Sequence, residues 1–230
     1  MSRITLAGNP PISVNLRRSA RARRISLRIS RLDGRVTLTM PTRVDEREGI
    51  AFVRERELWL RSHLDKMGEE RTVGIDGSVL FRGDEVPVVG TTGKRVRFTG
   101  EVLEVPNDPD RAGTRVLAFL KHQARDALAE ASDRYAARLG RSYGRLSLRD
   151  TRSRWGSCTS AGDLMYSWRL IMAPPEVLDY VAAHEVAHLV EMNHSQAFWD
   201  VVADIYPDYE DPRHWLKTEG QVLHRVRFSD

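Results

Sequence analysis

Residues 184–194 read HEVAHLVEMNH, and no other stretch limits so tightly what the chain can build. Successive residues of an α-helix lie about 100° apart, so His184 and His188 fall within about 40° of each other on one face. They are separated by a rise of about 6 Å, a span that two imidazoles close onto a single ion. Glu185 sits beside the first of them, where its carboxylate reaches a water on such an ion without ligating the ion itself. The residues around them (Val181, Ala182, Ala183, Val186, Ala187, Leu189 and Val190) are small or apolar, which predicts a buried helix. Histidines and a glutamate on a buried helix need partners, and a metal ion supplies them. The rival reading, polar side chains satisfied on an ordinary helix face, leaves those apolar neighbours unexplained.

A catalytic zinc site takes three protein ligands and keeps one position open. His194 is the predicted third ligand, with one Zn²⁺ ion as the cofactor. On an unbroken helix His194 would lie about 120° around from His188, so the helix must end before it. Asn193, tolerant of the left-handed conformation, is the predicted break, and Ser195 the predicted cap of a helix beginning at Gln196. Glu191 competes as a ligand, because on a continuous helix it faces the same side as His184 and His188. A structural site would instead be closed by a fourth protein ligand, and His214 is the other histidine close downstream.

The remainder of the chain reads as α+β. In RRISLRIS, Ile25, Leu27 and Ile29 alternate with polar residues, which predicts a strand. Asp33-Gly34 predicts a hairpin turn, and Val36, Leu38 and Met40 predict the returning strand. Helical spacing predicts one helix over 44–67, and short segments ending in glycine predict a small antiparallel meander over 78–105. A long helix over 111–139 is expected to stop at Gly140. Strands are expected at 145–152 and 164–171. Pro174-Pro175-Glu176 predicts the start of the helix that carries the histidines. The NDPDRAG stretch (107–113) is the predicted boundary between a β-rich region with one helix, 1–107, and a second domain, 108–230.

RWGSC (154–158), WRLIMAPPEVLDYV (168–181), HEVAHLVEMNHSQAFW (184–199), YPDY (206–209) and WLK (215–217) together closely resemble the YgjP-like family of predicted zincin-type metallopeptidases. The resemblance is dense from Arg152 onward and looser before it. It implies a zincin-like C-terminal domain, with His184, His188 and His194 holding zinc and Glu185 as catalytic acid and base. The ligand spacing is also similar to that of metzincin proteases, with Glu191 where those carry a loop glycine. SprT-like proteases are similar too, but they often add a Cys-rich zinc ribbon, which a chain with Cys158 as its single cysteine cannot build.

These features lead to a zinc-dependent hydrolase, a cytosolic metallopeptidase cleaving amide bonds of a peptide or protein. One alternative is a metal-dependent nucleoside triphosphate pyrophosphohydrolase, an activity also attached to the family. Against it, the sequence lacks the acidic clusters that hold Mg²⁺-nucleotide and any G-x-x-x-x-G-K-[ST] loop. The other is a nucleic-acid-binding protein with a structural zinc, using nine arginines that face a single acid, Asp33, over residues 1–35. The same stretch also reads as the solvated face of a strand. Overall charge is a modest +4. No apolar run approaches the roughly 18 residues of a membrane span, and no apolar segment of a secretory signal opens the chain, so a cytoplasmic protein without membrane partners is expected. Arg154, Arg169, Tyr206 and Tyr209 are the candidate substrate-binding residues: the arginines for a carboxylate or phosphate, the tyrosines for a developing oxyanion. Cys158 reads as a small apolar filler near the site.

Overall fold

Ile12, Val14 and Leu16 alternate with polar residues, and all three are buried on one face of a strand in the computed structural model, which describes residues 2–30, 34–65 and 71–228. That strand belongs to the first of two compact units, Met1–Glu69 and Glu70–Asp230.

In the first unit, β1 (Ser2–Leu6), β2 (Ile12–Ser19), β3 (Ser26–Ile29) and β4 (Val36–Pro41) form a sheet in the order β1-β2-β4-β3. The central pair β2–β4 is parallel and the outer pairs are antiparallel. Residues 31–33 of the predicted Asp-Gly turn lie outside the described residues, but the strands flanking it pair as a hairpin requires. Gly34, at φ 66°, donates its N–H to Ser30 O. Helices α1 (Glu46–Glu55) and α2 (Glu57–Asp65) follow, where a single helix was expected. Asp45 caps α1 by accepting from the Arg47 N–H. Gly49 lets α1 approach β4, since a Cβ there would stand 2.5 Å from Met40 Sδ. Val53 and Leu60 complete a core with Leu38 and Met40. Arg17, Arg21, Arg23, Arg24 and Arg28 are exposed on or between strands, as the alternation predicts, and do not form a free basic arm.

The second unit contains β5 (Arg71–Thr72), β6 (Ser78–Phe81), β7 (Asp84–Thr91), β8 (Arg97–Phe98) and β9 (Leu103–Pro106). The expected antiparallel meander is not what forms: the order is β6-β7-β9-β8, and β7 and β9 are parallel. Burial explains the swap. Leu103 and Val105 on β9 are fully buried and take the interior position, while two-residue β8, with Arg97 exposed, takes the edge.

Helix α3 (Pro109–Arg138) lays Val116, Leu120 and Leu128 into the core that also holds Leu103 and Val105. The predicted boundary at 107–113 therefore lies inside this unit, and the division follows Glu69. Between the large side chains, Ala112, Gly113, Ala124 and Ala131 are buried and let neighbours come close. Gly140 (φ 60°) ends α3 as predicted. Its N–H bonds to Ala137 O and that of Arg141 to Ala136 O, the paired pattern that closes a helix on a left-handed residue.

A second sheet, in the order β10-β12-β11, joins β10 (Leu146–Arg149), β11 (Gly156–Cys158) and β12 (Leu164–Ser167). The strand expected to run to 171 stops at Ser167, and residues 168–172 coil into a buried 3₁₀ turn. Helices α4 (Pro175–Ala187), α5 (Gln196–Ile205) and α6 (Glu210–Thr218) follow, then a 3₁₀ turn at Gly220–His224. Last comes β13 (Val226–Arg227), which pairs parallel with β5.

Arg169 fastens that 3₁₀ turn to the C-terminal segment. It is only 8% exposed, grips Asp150 with two hydrogen bonds (Nε–Oδ1 2.7 Å, Nη2–Oδ2 3.1 Å), and donates from Nη1 to Leu223 O and Val226 O. Its donors are spent inside the fold, so it is not available to a substrate, which corrects its place among the candidate binding residues. Burial would raise the Asp150 carboxyl, but the hydrogen bonds and charge of Arg169 outweigh it and hold the group below the usual range.

His224 lies in the same cluster, its ring stacked on Trp155 at 5.0 Å. Burial, then the Arg169 charge, pushes its pKa down to about 4. Between its ordinary value near 6.5 and about 4, the unfolded chain therefore takes up a proton that the folded chain refuses, so stability falls as pH falls through that window. At pH 5 this one group costs about 2 kcal/mol relative to pH 7. Urea unfolding at both pH values should show His224→Gln losing about that much less than the wild type. Equal losses would show that the ring is not buried neutral.

Candidate metal centre

Helix α4 is apolar on nearly every side because it runs through the core. Val177, Val181, Ala182, Ala183, Val186 and Ala187 are all buried. Pro175 occupies its first turn, where no N–H is needed, and Glu176 complements the positive end, as the sequence predicts. The helix ends earlier than a ligand at Glu191 requires. His188 is already the cap residue, and the N–H groups of Leu189, Val190 and Glu191 fold back onto Val186 O and Ala187 O. Glu191 is therefore off the helical face and is not among the potential ligands. Its carbonyl has another use, accepting from His188 Nδ1 at 2.9 Å. A carbonyl only accepts, so Nδ1 carries the hydrogen and Nε2 keeps its lone pair for a ligand.

Asn193 turns the chain by a different device from the one predicted. It has no positive φ; its Oδ1 accepts from the Ser195 N–H at 2.9 Å, a side-chain turn. Ser195 is the cap residue of α5 as expected, although its side chain makes no capping bond. The turn delivers His194 back over α4. One ring nitrogen from each of His184, His188 and His194 lies within 4.8 Å of the others, and among the described residues these three form the group able to hold a metal. His214 is not part of it.

The cluster fits a divalent ion on its own chemistry. Nε2 of His184 and Nε2 of His194 face each other at 3.1 Å, close to the roughly 3.3 Å between two nitrogens bound tetrahedrally to one zinc. Burial, followed by the neighbouring His188 and His194 rings and Arg213, pushes the His184 pKa down to about 3, and burial lowers His188 as well. Neutral imidazoles are the form that ligates. Phe198, fully buried on α5, packs its ring against all three at centroid distances of 4.4–4.9 Å. Trp199 packs beside His184 and His194 and is itself stacked on Tyr209 (5.4 Å), with the Arg213 guanidinium over its ring (4.2 Å). Phe198 and Trp199 are thus packing residues around the histidines.

Glu185, 6% exposed, is held against β11. The Cys158 backbone N–H bonds to it, and a Cβ at Gly156 would stand 2.5 Å from its Cγ and Oε1. Gly156 is thus the residue that makes room for this carboxylate. Burial pushes the Glu185 carboxyl up to about 8, with the Arg154 charge and the Cys158 N–H pulling the other way. Burial, then Glu185 and Asp163, pushes the Cys158 thiol up to about 11, away from the thiolate form.

His184, Glu185, His188 and His194 open into one cavity of about 380 Å³. Arg154, a candidate binding residue, lines it. Tyr206 and Tyr209 do not: Tyr206 donates to Glu176 O and Tyr209 stacks on Trp199, so neither takes the expected place. The sequence reading missed Tyr180, Trp155, Gly156 and Met192, which do line it. Tyr180 was findable, since it lies four residues before His184 on the same helical face; its hydroxyl is 3.5 Å from His184 Nδ1. Trp155 borders the cavity with its ring stacked on His224.

No curated protein matches the sequence. Among solved structures, the metallopeptidase zymogen of Pyrococcus abyssi abylysin matches at 23% identity, over 42% of this chain and 95% of that one, with a TM-score of 0.33, too low to bear on the site. The family model of the YgjP-like metallopeptidase domain matches residues 23–219, most of the chain and every residue of the centre. On that match the chain belongs to the YgjP-like family of metallopeptidase domains, a class of metal-dependent hydrolases.

Proposed function

We propose that the protein is a zinc peptidase. The observation that carries this reading is the convergence of three ring nitrogens within 4.8 Å in a cavity that also holds the Glu185 carboxylate. His184, His188 and His194 would hold the ion, leaving a position open for want of a fourth protein ligand among the described residues. The ion, when bound, supplies Lewis acidity toward the scissile carbonyl oxygen and an attacking water. A cation bound beside Glu185 would favour its ionised form against the burial that raises its pKa. The carboxylate then takes the proton of that water and passes it to the leaving nitrogen. Gly156 and the Cys158 N–H fix the carboxylate for this transfer. Trp155, Val181 and Leu216 give the cavity an apolar wall for a substrate side chain. Arg154 supplies a cation beside it for a substrate carboxylate.

No cluster of carboxylates suited to Mg²⁺-nucleotide accompanies the three histidines among the described residues, which favours amide over phosphoanhydride substrates. The test is a turnover screen of the zinc-loaded protein against a peptide library and the nucleoside triphosphates. Peptide cleavage without pyrophosphate release is expected. Pyrophosphate release without peptide cleavage would replace this reading with the nucleotide one.

A further inference from the structure

His188 and Met192 line a second cavity, of about 420 Å³, as well as that of the metal centre. Its other walls are of a different kind. Arg141, Ser142, Thr159 and Ser160 make it polar, and no acidic side chain lines it. Arg141 is positioned by the end of α3, through its N–H bond to Ala136 O, and its exposed guanidinium has no hydrogen-bond or ion-pair partner among the described residues. Thr159 stands at the start of a pinned turn. Its N–H bonds to Asp163 O, its carbonyl accepts from Gly162, and its Oγ1 accepts from the Asp163 N–H, leaving the hydroxyl hydrogen to donate elsewhere.

The two cavities share a wall that is continuous in sequence. Residues 154–158 border the first and 159–162 the second. Strand β11 borders the first cavity at the end of its sheet, paired only with β12 among the described residues. Met192, 52% exposed, forms the divide, and an unbranched thioether adapts to whatever crosses it. A ligand confined to the metal cavity would not meet Arg141, which lines only the second. An extended chain, advancing about 3.3 Å per residue, would enter both.

We propose that the second cavity is a specificity subsite of the peptidase reading, receiving an acidic side chain of an extended peptide substrate. Arg141 holds the carboxylate with a two-pronged charge-assisted contact, and the hydroxyls of Ser142, Thr159 and Ser160 donate around it. The absence of any competing acid in the wall makes the subsite selective for Glu or Asp over Gln or Asn.

The experiment uses acetylated, amidated octapeptides in which one Glu is moved through each position, each paired with its Gln counterpart. The zinc-loaded wild type should prefer Glu at one position by about tenfold in kcat/KM, carried by KM, as a charge-assisted contact allows. In Arg141→Ala the Glu-to-Gln ratio should fall to about one, and Arg141→Lys should restore part of it. The same ratios are read as binding affinities by fluorescence anisotropy on the Glu185→Gln background, where no turnover is needed. Absence of cleavage with an intact Arg141-dependent binding preference would remove the peptidase reading and keep the subsite. A Glu preference that survives Arg141→Ala at that same position, or no preference there in either readout, overturns the subsite.

Discussion

Glu185→Gln is expected to lower turnover by about 10²–10⁴-fold while leaving the bound metal in place. The substitution is nearly isosteric, so it keeps the tight contact with Gly156, where a Cβ would stand only 2.5 Å from the side chain. The amide oxygen still accepts the Cys158 N–H. What is lost is the capacity to take a proton from water and release it to a leaving group. Metal content and kcat measured on the same preparation separate the two roles. Loss of metal together with activity would make Glu185 a structural support of the cluster, and full activity would remove it from the chemistry.

Gly113→Ala is expected to destabilise the protein by at least about 2 kcal/mol, although helix propensity alone predicts a gain of about 1. The two effects have opposite signs, so the experiment decides between them. Gly113 lies within α3 where the chain's C-terminal segment crosses. A Cβ there would stand 2.0 Å from Phe228 O and 2.9 Å from Val73 O. Both are backbone atoms that cannot swing away. They belong to the segments around the β5–β13 pair, whose hydrogen bonds include Val73 N–H to Arg227 O. Thermal unfolding should show a midpoint lower by about 4–8 °C. A raised midpoint would mean that α3 does not lie so close to this pair.

The histidine cluster was legible in the sequence because its spacing is local. His184 and His188 declare their shared face within five residues, and the need to bring His194 back forces a break between them. How the break is made was less legible: an Asn193 side-chain hydrogen bond and a left-handed backbone both suit asparagine. Apolar alternation likewise announced the strands around Leu27 and Leu38. Features that depend on a distant partner could not be read. Arg169 looks like any arginine until Asp150 and two C-terminal carbonyls are seen to absorb its donors. Gly156 is only a small residue in RWGSC until Glu185 is found against it. The parallel β7–β9 pair needed knowledge of which strand would be buried, and the small residues of α3 mattered only once the helix had neighbours on both sides.

Zinc-edge X-ray absorption of the zinc-loaded protein tests most directly whether three imidazoles share one ion. Three histidine nitrogens and one or more non-protein light atoms are expected around a single zinc per chain, with His194→Ala losing one imidazole and binding the ion more weakly. A fourth imidazole or a sulfur ligand, or a spectrum that His194→Ala leaves unchanged, would contradict the open three-histidine centre.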